Sequence, residues 1–167
     1  MFFFFFFFFF LTMSIIIICL GHELGHWSHS HNIKLLVVSE IQAFVLFYIF
    51  SCVINHTPLY QSFGFNVQPI LIGFILFSFI FSPIDSLLDF CTNVITRGFE
   101  RQADEFATRD LKRGNDLLTG LIKIHTENLS NLIVDPLYSA WNYSHPPLLE
   151  RIDHIKKTQE SMEKKSE

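Results

Sequence analysis

Charge is nearly missing from the first half of this chain. Residues 1–94 hold one Lys/Arg, Lys34, and four Asp/Glu, whereas residues 95–167 hold eleven and twelve. Half of the residues are hydrophobic, and the mean hydropathy of +0.34 is high for a soluble protein. The first part therefore reads as membrane and the second as a polar helical region. Cysteine is scarce and scattered: Cys19, Cys52 and Cys91, with no C-x-x-C. That excludes a disulfide framework and a cysteine zinc site, and leaves core or lipid-facing thiols. No basic stripe stands out from the acidic residues, and the net charge is −4, which excludes nucleic acid as a partner. The apolar start lacks the basic n-region and the A-x-A site of a signal peptide. There is no internal repeat, and the length suits one domain.

Residues 2–20 are apolar apart from Thr12 and Ser14, and nineteen helical residues would just span the hydrocarbon core. Phe2–Phe10, however, is a homopolymer, low complexity rather than a shaped helix face. Translation of a pyrimidine-rich tract before a splice acceptor would give such a run. Residues 1–20 are therefore expected to be a gene-model artefact or the scar of a truncated copy. A membrane helix is expected near 35–54, interrupted by Glu40 and Gln42. Glu40 either faces a protein or water cavity or snorkels to the interface near Lys34. Asn55–Asn66 reads as a polar loop with Pro58 and Gly64. A second span is expected near 69–92, with Pro83 as a kink. An amphipathic extension follows over Phe90–Leu111. Arg97, Arg101, Arg109, Lys112 and Arg113 gather at that end, so the C-terminal region should be cytosolic. Further helices are expected at Asn115–Leu129 and Leu148–Lys157, with a charged, fraying tail over 158–167.

The chemistry sits in HELGH, which holds His22, Glu23 and His26. On a helix the two histidines are one turn apart on one face, a spacing that can hold one zinc ion. Glu23 projects beside them, where it can act as a general base on water. A protease zinc usually has a third protein ligand. The segment Gly98–Asp104 supplies a candidate pair, Glu100 and Asp104, four residues apart and so on one helical face. One can ligate while the other accepts the outer N–H of a ligating histidine. The competing reading is a solvated face paired with Arg97 and Arg101. In Ser144-His145-Pro146-Pro147, two prolines hold His145 in an extended segment before a helix. A donor fixed there could stabilise an oxyanion, or the histidine is incidental to the helix entry. His29 and His31 read as polar helix-end residues. His56, His125 and His154 receive no role.

GHELGHW (Gly21–Trp27), FERQAD (Phe99–Asp104) and SHPPLLERI (Ser144–Ile152) together resemble the type I CAAX prenyl protease family. The likeness runs from about Gly21 to about Ile155 and is nearest the eukaryotic branch. It implies an all-α, multi-helix integral-membrane zinc protease, of which this chain looks like the C-terminal third or so. It further implies that residues 21–157 are the metalloprotease domain, with a helical, cytosolic C-terminal region. By resemblance, His22, His26 and Glu100 would ligate one Zn²⁺ per chain. Glu23 would be the general base, Asp104 a support for a ligating histidine, and His145 a substrate-side donor. The implied function is removal of the C-terminal tripeptide from prenylated CAAX proteins at the endoplasmic-reticulum membrane, in contact with lipid. Two alternatives stay open: a membrane quality-control metalloprotease of the bacterial heat-shock type, and an inactive truncated fragment. Lys164-Lys165, fourth and third from the end, resemble a di-lysine retrieval signal.

Overall fold

A computed structural model describes residues 20–129 and 131–166. The poly-phenylalanine expectation lies outside the described residues. Among the described residues seven helices follow in order: α1 over residues 20–28, α2 His31–Val53, α3 Thr57–Ser62, α4 Ile70–Arg109, α5 Gly114–Glu127, α6 Pro136–Asn142 and α7 Leu148–Ser166. No strand occurs among the described residues, so the all-α expectation stands. The chain divides into two units, one of residues 33–92 and one that joins the residues before 33 to those from 93 onward.

In the 33–92 unit, α2 and the first half of α4 are long and apolar enough to cross a membrane. At 1.5 Å rise per residue the 23 residues of α2 run about 35 Å, slightly more than the hydrocarbon thickness. Within the unit, Phe50 packs edge-on against Phe74 and Phe77, and Phe77 stacks with Phe81. Gln42 Nε2 donates to Thr92 Oγ1 at 2.8 Å. Tyr60 is buried beneath Gly73 and its hydroxyl donates to the Ile54 carbonyl at 2.9 Å. Glu40 is exposed, so the described residues give it no protein cavity. Pro83 sits inside α4 without ending it.

The second unit holds α1, the polar half of α4, and α5 to α7. Ser30 has φ 54, a left-handed residue of the kind that stops helices, and it separates α1 from α2. Helix α6, not expected from the sequence, starts at Pro136 with Asp135 as its N-cap, accepting from Tyr138 N at 2.9 Å; the Asp-Pro pair is the signal that could have found it. Helix α7 packs on α5 around a core of Ala107, Leu117 and Ile155. It also runs past Lys157, through the stretch expected to fray. The reason is packing: Thr158 is buried and Gln159 Nε2 donates to Asn115 Oδ1 at 3.0 Å.

Candidate metal centre

Helix α1 comes very close to α4 at Gly25. A Cβ there would stand 2.9 Å from the Cα of Ala103, which is itself fully buried. Only glycine permits that approach, and it brings the flanking histidines over the polar half of α4. We expect Gly25→Ala to force the helices apart at a cost of about 1–3 kcal/mol, the usual penalty of overpacking. Thermal unfolding of the purified variant checks this; an unchanged melting temperature would mean that the helices accommodate the added methyl group at no cost.

Three donors converge there. His22 Nε2 and His26 Nε2 are 3.1 Å apart. Each lies 3.3 Å from an oxygen of Glu100, Oε2 for His22 and Oε1 for His26. Glu100 is 3% exposed, and its Oε2 is buried without a hydrogen-bond partner of proper geometry. Two imidazole nitrogens and a buried carboxylate at this spacing can hold one metal ion.

Asp104 backs the trio. Its Oδ1 lies 3.0 Å from His22 Nδ1, an ion-pair distance, though off the line of a straight hydrogen bond. Burying a carboxylate costs several kcal/mol unless it is paired. Asp104 is 1% exposed, and Arg151 of α7 pairs with it through two bonds, Nε to Oδ2 at 2.9 Å and Nη2 to Oδ1 at 2.6 Å. The same guanidinium reaches within 3.6 Å of Glu100 Oε2. The solvated-face reading is thereby overturned. Arg97 donates to Ser139 Oγ at 2.6 Å and to Glu150 Oε2 at 2.7 Å, and Arg101 faces Glu150 at 3.7 Å.

His145 lies between α6 and α7, with Pro146 buried behind it. Its Nε2 is 3.2 Å from Glu100 Oε1, and its Nδ1 is 2.9 Å from Ser144 Oγ. Its side chain is 62% exposed, on the open side of the cluster. Glu23 is also exposed. It lines a pocket of about 110 Å³ with His22, Arg151 and the apolar Leu117, Leu121 and Ile124.

A family model described as Peptidase family M48 matches residues 12–159. The chain belongs to peptidase family M48. Similar curated relatives include the CAAX prenyl protease 1 homolog of Homo sapiens, 46% identical over 143 residues. That match covers 84% of this chain and 30% of the relative. CAAX prenyl protease 1 of Saccharomyces cerevisiae is 35% identical over 148 residues, covering 80% of this chain and 32% of the relative. The crystal structure of S. mikatae Ste24p superposes with a TM-score of 0.76 at 33% identity, covering 84% of this chain and 36% of that one. This M48 chain thus spans about a third of the length of these relatives.

Electrostatics within the M48 site sort the histidines. Burial presses His22 toward its neutral form, but the Asp104 and Glu100 carboxylates, at 3.0 and 3.3 Å, outweigh it and raise its pKa to about 9. A ligating histidine must be neutral, so a cation taken up here displaces that proton. Burial holds His26 below the usual imidazole range, and the nearby His22 adds to this, against the opposing pull of Glu100. The hydrogen bond to Glu100 holds His145 above that range, against its partial burial.

Two residues of the site carry no local sequence signal for their roles. Arg151 stands in SHPPLLERI, but its partner Asp104 is 47 residues away, beyond any local pattern. His31, expected at a polar helix end, is instead fully buried against the back of His26, whereas His29 is exposed as expected.

Proposed function

We propose that this chain carries the catalytic centre of a zinc endopeptidase that removes the C-terminal tripeptide from prenylated CAAX proteins. The observation that carries this reading is the trio His22, His26 and Glu100, with nitrogens and oxygens 3.1–3.3 Å apart and Glu23 beside them. Zinc bonds of about 2.0–2.1 Å in tetrahedral array set neighbouring ligand atoms about 3.3–3.4 Å apart, so the donors fit one zinc per chain. A zinc held there supplies Lewis-acid polarisation of the scissile carbonyl and of the attacking water.

The chain's own groups do the rest. The Glu23 carboxylate accepts the proton of the attacking water and hands it to the leaving amine. His145 donates its Nε2–H to the carbonyl oxygen as negative charge develops there. Asp104, clamped by Arg151, orients His22. The apolar pocket beside Glu23 suits one apolar side chain next to the cut bond. The relatives named CAAX prenyl protease support the substrate class, a prenylated C-terminus. The two apolar helices and the basic cluster after them support a multi-pass membrane protein with a cytosolic C-terminus. The Lys164-Lys165 pair supports residence in the endoplasmic reticulum.

The test measures zinc by elemental analysis together with cleavage of a farnesylated CAAX peptide in detergent. We expect one zinc per chain, and a fall to well under half of that in His22→Ala and in Glu100→Ala. Full zinc in either variant would remove that residue from the ligand set. Equal cleavage of unprenylated membrane proteins would favour the quality-control reading.

A further inference from the structure

His31 opens α2 immediately after the left-handed Ser30. That turn folds its ring beneath His26, five residues back. The ring is 0% exposed and stacks flat on Phe99, with centroids 4.2 Å apart and planes 7° from parallel. Its Nε2 lies 2.9 Å from Gln102 Oε1, and its Nδ1 lies 3.1 Å from His26 Nδ1.

These contacts assign the protons in sequence. An amide oxygen only accepts, so the proton between Gln102 and His31 belongs to His31 Nε2. The neutral ring then presents a lone pair at Nδ1. The hydrogen between the two rings must therefore come from His26 Nδ1. That leaves His26 Nε2 with its lone pair bare, able to accept from His22 Nε2 at 3.1 Å, and Nε2 is the nitrogen that joins the donor trio. His22 is oriented by a carboxylate, Asp104. His26 is oriented by a second imidazole, which adds no negative charge to the centre.

We propose that His31, backed by Gln102, is a positioning residue that locks His26 in the tautomer and ring orientation a metal ligand needs. This rests on the zinc reading above. His31→Phe keeps an aromatic ring against Phe99 but removes both nitrogens. His31→Asn returns an acceptor near the place of Nδ1. Zinc affinity of the whole chain in detergent is measured by competition with a chromophoric chelator. His31→Phe should bind zinc 10–100-fold more weakly, the usual effect of losing a hydrogen-bond partner behind a ligand, and His31→Asn should recover most of that loss. In ¹⁵N spectra of the metal-free chain, His26 should carry its proton on Nδ1, and in His31→Phe it should shift toward a mixture of tautomers.

Wild-type zinc affinity in a folded His31→Phe protein overturns the proposal, as does an Nε2–H tautomer of His26 in the unsubstituted chain. If His31→Phe does not fold, Gln102→Leu decides: it should weaken zinc binding and mix the His31 tautomers, and an unaltered affinity there counts against the proposal. Failure of the zinc reading itself looks different. The unsubstituted chain would then bind no zinc, or His26→Ala would bind it as tightly.

Discussion

Replacing Glu23 by glutamine should lower cleavage of a farnesylated peptide by about 10²–10⁴-fold and leave one zinc per chain. Glutamine matches glutamate in size and can still hydrogen-bond a water, but it cannot accept a proton. Glu23 is exposed and lines the pocket, and it lies outside the cluster of His22, His26 and Glu100, so its loss removes no ligand atom. The two readouts separate base from ligand. Zinc lost along with activity would make Glu23 part of the metal site. Activity retained would move the base elsewhere, and His145 is the next group within reach of the cluster.

The second large effect concerns His145. If its Nε2–H serves the developing oxyanion, its contribution exists only in the transition state. His145→Ala should then lower kcat by roughly 10²–10³-fold, with KM and zinc content near their original values. The geometry suits this: the imidazole is on the open side, 3.2 Å from Glu100, with buried Pro146 behind it. The same 3.2 Å contact offers the alternative that His145 merely steadies Glu100. In that case zinc content falls in step with activity, and His145→Gln, which keeps a donor, restores zinc more than it restores kcat.

Local periodicity makes the two halves of the cluster readable from the sequence. His22 and His26, and Glu100 and Asp104, are each one helical turn apart, so each pair falls on one face whatever the rest of the chain does. Composition alone marks the two apolar helices. What stays hidden depends on contacts across the chain. Arg151 acquires meaning only when α7 packs beside α4. The buried Thr158 and Gln159, bonded to Asn115 of α5, belong to an ordered helix through contacts far along the chain. His31 is hidden for a different reason. A HELGH helix continued past it would turn its ring away from His26. The stop at Ser30 has no glycine or proline to announce it, so the break that buries His31 leaves no mark in the sequence.

The bidentate grip of Arg151 on Asp104 makes α7 a stakeholder in the cluster, although the clustered donors His22, His26 and Glu100 lie on α1 and α4. Docking of α7 places Arg151 on Asp104, whose Oδ1 lies 3.0 Å from His22 Nδ1; on the zinc reading, that chain of contacts would favour occupancy of the centre. The thermodynamic coupling is reciprocal, so whatever fills the centre must tighten α7 by the same free energy that α7 lends to filling it. On the zinc reading proposed above, metal binding and the folding of the C-terminal helices would be one cooperative property of this chain.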